Sequence, residues 1–107
     1  MKEPGIAYQA ASIFQEAAGY IREYGWQVTG MGEHGKPRCS MGALASAHQE
    51  KVWPHDLAEL MYQKLYDELG GIGLTEFNYK YSDGEKVAQL FERVAVRLRQ
   101  SCMSMVY

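Results

Sequence analysis

Apolar residues recur every three to four positions over residues 5 to 24. Ile6, Ala10, Ile13, Phe14, Ala17, Ile21 and Tyr24 share one face, and Ser12, Gln15, Arg22 and Glu23 the other. That period predicts an amphipathic helix. Pro4 suits its entry and Gly25 its end, because glycine adopts the left-handed conformation that closes a helix. The pattern then changes. Trp26 and Val28 alternate with Gln27 and Thr29, as in a strand with one buried face. Gly30, Gly32 and Gly35 permit a turn, and Lys36 to Cys39 can return as a second strand. Pro37 removes a ladder donor, so this would be a short edge piece. The expectation is a small β-hairpin leaning on helices.

Ser40 is a fitting N-cap for a helix from Met41 to about Gln49. Gly42, Ala43, Ala45, Ser46 and Ala47 are all small, which lets a neighbour approach closely. This helix is expected to be central and buried. After a linker at 51–56, Leu57, Ala58, Met61, Tyr62, Leu65 and Leu69 form the stripe of a third helix, which Gly70-Gly71 ends. Leu60 lies off that stripe. Residues 71 to 82 read as an irregular loop anchored by Ile72, Leu74 and Phe77. Ser82-Asp83-Gly84-Glu85 reads as a capping box. The helix behind it, to about Arg99 or Gln100, buries Val87, Leu90, Phe91, Val94 and Leu98. The fold class is therefore mainly α: a compact four-helix domain with one short β-hairpin between the first two helices.

The 107 residues suit a single domain, and a hydrophobic share of 47% is ample for its core. No apolar run is long enough to span a bilayer, and no secretory leader is legible at residues 1–5. A net charge of -2, with both signs scattered, argues against a nucleic-acid-binding face. Nucleic-acid binding would need Lys80, Arg93, Arg97 and Arg99 on one side. Two cysteines are too few for a disulfide framework, so reduced thiols and a cytoplasmic location are expected.

A helix ending in Gly25-Trp26, then Gly35, Cys39-Ser40-Met41-Gly42-Ala43-Leu44, and later Phe77-Asn78 before a helix starting near Val87, make a pattern. It resembles a family of small domains of unknown function from actinobacteria and their bacteriophages. The likeness covers roughly residues 7 to 98. Members typically carry Trp-Asn-Asp where this chain has Phe77-Asn78-Tyr79. The resemblance implies a phage- or prophage-encoded accessory protein and carries no assigned activity.

Two chemistries compete on the residues themselves. Cys39 precedes a helix N-terminus, where dipole and free N–H groups can activate a thiol. His34, His48 and Asn78 could complete a cysteine-centred site. A cysteine beside Trp26, Gly42 and Ala43 is more commonly a small buried hydrophobe. Cys39, Cys102, His34, His48 and His55 show no metal-ligand spacing, and the glycines lack a nucleotide-binding signature. No cofactor is expected. The alternative is a partner-binding surface. Tyr20, Tyr24 and Tyr62 fall on core stripes, whereas Trp53, Tyr66, Tyr79 and Tyr81, with Tyr8, fall on loops or outward faces. Exposed aromatics are enriched at protein interfaces. The favoured reading is a non-enzymatic module that binds a protein, either a host protein or a second copy as a homodimer.

Overall fold

A computed structural model describes residues 5–27, 33–47, 54–71, 76 and 83–104, with the backbone alone at 41 and 101–104. The described residues form four helices: α1 (Ile6–Tyr24), α2 (Ser40–Ala47), α3 (His55–Glu68) and α4 (Gly84–Ser104). The chain is mainly helical, as its periodicity predicts.

The central element is α1 rather than α2. It packs on all three other helices, most extensively on α4, and α3 also touches α4. Ala10, Ala11, Ile13, Phe14, Ala17, Ala18, Tyr20 and Ile21 are all buried. At 3.6 residues per turn they cover about half of the helix circumference, more than one stripe. Phe14 meets Phe91 of α4 with ring centroids 5.5 Å apart. Around that pair Leu44, Leu57, Met61, Val87, Leu90, Val94 and Leu98 complete one core. Leu60 rests half-buried against it. The small residues of α2 do permit close packing: Gly42, Ala43 and Leu44 are buried, and α2 sits against α1.

The expected hairpin is not found. Among the described residues there is no strand, only an isolated bridge between Trp26 and Arg38, and it is parallel. A hairpin needs the returning segment to run antiparallel. Here the Gly35 amide and the Lys36 carbonyl are taken by a side chain, and the Lys36 amide turns back to the Glu33 carbonyl at 3.2 Å. The Tyr20 hydroxyl accepts from the Gly35 amide at 2.9 Å and donates to the Lys36 carbonyl at 2.7 Å. Pro37 has no N–H to offer. Val28 lies outside the described residues.

Helix ends follow local chemistry closely. Gly25 has φ 97° and donates to the Ile21 carbonyl at 2.9 Å. Gly70 and Gly71 both have positive φ, and the Gly71 amide closes α3 on the Tyr66 carbonyl. Two caps differ from expectation. The Cys39 carbonyl, not Ser40, takes the first bond of α2, from Ala43. At α4 the Asp83 carboxylate accepts from the Glu85 amide at 3.0 Å. Ser82 lies outside the described residues, and the Glu85 carboxylate turns to Arg22 rather than back to the cap.

That turn builds a surface clasp between α1 and α4. Arg22 donates to both Glu85 oxygens, at 3.1 and 2.8 Å, and to both Glu92 oxygens, at 2.5 and 2.9 Å. These bonds from Arg22 hold both carboxyls below their ordinary range and raise the guanidinium. Arg93 and Arg97 similarly bind Glu68, tying α4 to α3.

Candidate functional site

Two regions gather the polar and aromatic side chains that a function can draw on. The first is where residues 33–38 fold back over α1 and α2. Arg38 is only 5% exposed. Its Nη1 donates to Ser46 Oγ at 2.6 Å and to the Gly42 carbonyl at 3.4 Å. Ser46 Oγ also lies 3.0 Å from His34 Nδ1. Arginine can only donate, so the serine oxygen accepts from Arg38, and its contact with His34 joins the imidazole to the same network. The His34 ring stands beside Tyr20 and Tyr24, at 5.6 and 6.2 Å. Nearby, Trp26 Nε1 donates to the buried Ser40 hydroxyl at 3.3 Å, and the Gln27 amide to the Arg38 carbonyl at 3.2 Å.

This network satisfies buried polar groups and clamps the segment. Cys39 lies inside it, 8% exposed. No hydrogen bond joins its thiol to His34, whose Nδ1 is taken by Ser46. Burial beside fully packed Ala43 and Leu44 matches the hydrophobe reading of Cys39. His48 and Asn78, its other expected partners, lie outside the described residues. Among the described residues no three His, Cys, Asp or Glu side chains converge as a metal-ligand set would. Arg93 and Arg97 both serve Glu68, and Lys80 lies outside the described residues.

Tyr20 is what residue patterning missed here. Its place on the α1 stripe marks the ring as core, and only the tertiary structure brings its hydroxyl to residues 33–36. Replacing Tyr20 with Phe keeps the ring and strands the Gly35 amide and Lys36 carbonyl. We expect a loss of about 0.5–1.5 kcal/mol, measured by urea unfolding. A loss below a few tenths would show that water replaces the hydroxyl at no cost.

The second region is the outer face of α3. Tyr62 is 53% exposed and Tyr66 54%. Tyr66 was expected to point outward and does. Tyr62 was expected in the core; it stands instead beside Tyr66, one turn away. The α3 core is built by Leu57, Met61 and Leu65, and position 62 falls about 100° from 61 and lies outside that wedge. His55, Ala58, Glu59 and Gln63 join the two tyrosines in lining an open groove of about 540 Å³. Tyr8 is also exposed. Trp53, Tyr79 and Tyr81, expected on the same kind of surface, lie outside the described residues.

A family model described as a family of unknown function (DUF6197) matches residues 7–100. The chain belongs to that family. The match spans α1 from its second residue, all of α2 and α3 and most of α4, so both regions lie within the family domain. Comparison with the curated proteins and with the solved structures gave no match. No helix among the described residues is long and apolar enough to cross a membrane.

Proposed function

We propose that this DUF6197 domain is a non-enzymatic protein-interaction module. The observation that carries the reading is the outward pair Tyr62 and Tyr66 on α3, each more than half exposed over an open groove. Tyrosines bring a large, stiff, amphipathic contact area at little entropic cost, which is why they anchor interfaces. A monomer with no binding role has little reason to place two on adjacent turns of one helix face. Trp53, Tyr79 and Tyr81, the other aromatics expected to contact a partner, lie outside the described residues. The family pattern that resembles actinobacterial and phage domains adds an accessory protein acting on a host protein in the host cytoplasm. A second copy of the chain, as a homodimer, is the alternative partner; nucleic acid and membrane are not partners. The reading of Cys39 as a nucleophile has less behind it, since the thiol is buried and His34 is held by Ser46.

The test is a tagged pull-down from an actinobacterial lysate with mass spectrometry, run beside Tyr62→Ala/Tyr66→Ala. Both side chains are exposed, so the variant keeps its fold. We expect one protein enriched by the native chain and lost with the variant. Identical profiles from the two would remove the α3 face from the reading.

A further inference from the structure

Four carboxylates among the described residues pair with a lysine or arginine. Glu33 meets Lys36, Glu85 and Glu92 share Arg22, and Glu68 takes Arg93 and Arg97. Exposed acids without such a partner occur on several elements, and on the outer side of α3 they stand beside two exposed rings. Asp56, Glu59 and Asp67 are exposed or near the exposed tyrosines, and no lysine or arginine among the described residues lies within 4.0 Å of them. Asp56 bonds the Leu57 amide, Asp67 takes Gln63, and Glu59 has only His55 at 3.5 Å, an exposed pair of little worth. Lys64, the one lysine or arginine in α3, is half-buried, about 200° around the helix from Tyr62.

The acids and rings share a face. At about 100° per residue, His55, Glu59, Tyr62, Gln63 and Tyr66 fall within about 100° of arc, with Asp56 and Asp67 on its margin. A tyrosine ring attracts a cation to its face, arginine more often than lysine, and a carboxylate beside it binds the guanidinium edge. Another open groove, on α4, has a different character: Arg93, Arg97 and Glu92 line it with Val96, and its charges are already committed, the arginines to Glu68 and Glu92 to Arg22. Glu16 and Glu23 on α1 are exposed acids without a basic partner too, but Glu16 has no pair of exposed rings beside it.

We propose that the outer face of α3 receives an arginine-bearing basic segment of a partner protein, a guanidinium stacking on Tyr62 or Tyr66 and pairing with Glu59. This rests on the reading of the chain as an interaction module and gives its partner a chemistry. Charge complementarity makes the contact: three carboxylates with no lysine or arginine partner among the described residues flank the rings, and an arginine supplies both the cation and the flat surface they lack.

The probe is a short fluorescein-labelled peptide of alternating arginine and alanine, titrated with the full chain by anisotropy at low ionic strength. A lysine version runs beside it. Binding should weaken about fivefold in Tyr62→Ala/Tyr66→Ala and again in Glu59→Gln/Asp67→Asn. It should change less than about twofold in the charge-matched control Glu16→Gln/Glu23→Gln. The lysine peptide should bind more weakly than the arginine one. All these side chains are exposed, and circular dichroism confirms that each variant is folded. Equal losses in both charge variants would reduce the effect to general attraction and overturn the proposal, as would no binding or an indifferent tyrosine variant. Self-association of the chain that vanishes in Glu59→Gln/Asp67→Asn would overturn it in favour of a second copy. A pull-down partner that needs Tyr62 and Tyr66 but ignores Glu59 and Asp67 would overturn it while leaving the interaction module standing.

Discussion

Replacing Phe91 with alanine should cost about 3–5 kcal/mol of folding stability. Phe91 is fully buried on α4, and its ring tilts against Phe14 of α1 at 5.5 Å and 49°. That pair sits in the most extensive helix contact of the molecule. Deleting the ring removes its transfer free energy and leaves a void that Leu90, Val94 and Leu98 cannot fill without leaving their own rotamers. A domain of this size has about 5–15 kcal/mol in total, so the variant should be partly unfolded in warm buffer. Urea unfolding measures the effect, and an unchanged slope would confirm that only the native state was weakened. Phe91→Leu keeps much of the volume and should cost about 1–2 kcal/mol, less than the alanine change. A loss under about 1 kcal/mol for Phe91→Ala would mean that the α1–α4 seam is not where the stability resides.

Gly84→Ala should destabilise, although alanine is the better helix former. A Cβ at position 84 would lie 2.8 Å from the Trp26 Cβ and 3.3 Å from the Ile21 Cγ2. The Trp26 Cβ is bonded to the backbone and cannot swing aside, so α4 must move off the end of α1. Such overpacking costs about 1–3 kcal/mol. Gly19 provides the opposite case on α1: it is exposed, and nothing lies within 4 Å of a Cβ built there. Gly19→Ala should therefore stabilise by about 0.5–1 kcal/mol. Thermal melts of the two variants should move in opposite directions. A shift upward for both would mean that helix propensity outweighs the contact with Trp26.

The same glycines show how much was legible in the chain. Gly25 and the Gly70-Gly71 pair announce helix ends because positive φ is a local property, and both ends fall there. The close approach at Gly84 has no local signature, since Trp26 comes from another part of the chain. The sites divide the same way. Tyr66 is visibly outward from the α3 pattern, and a Cys39 beside small residues reads as buried, as it is. Tyr62 is not legible: it lies within reach of the apolar stripe, and whether the stripe's edge is covered depends on which helices flank α3. Arg38 looks like an ordinary residue of a returning strand. It becomes a buried donor only because α2 brings Ser46 and the Gly42 carbonyl to it.

Four helices, their order and most of their ends were determined by the sequence itself, because a period of 3.6, glycine at the stops and small side chains on α2 act over a few residues. Only the tertiary structure decided that α1 is the hub, that residues 26 and 38 meet in parallel instead of forming a hairpin, and that Tyr62 of α3 faces outward. Each of these depends on contacts between segments far apart in the chain. Periodicity says that a face must be covered; which neighbour covers it, and how far round the helix the cover extends, is settled when the helices pack.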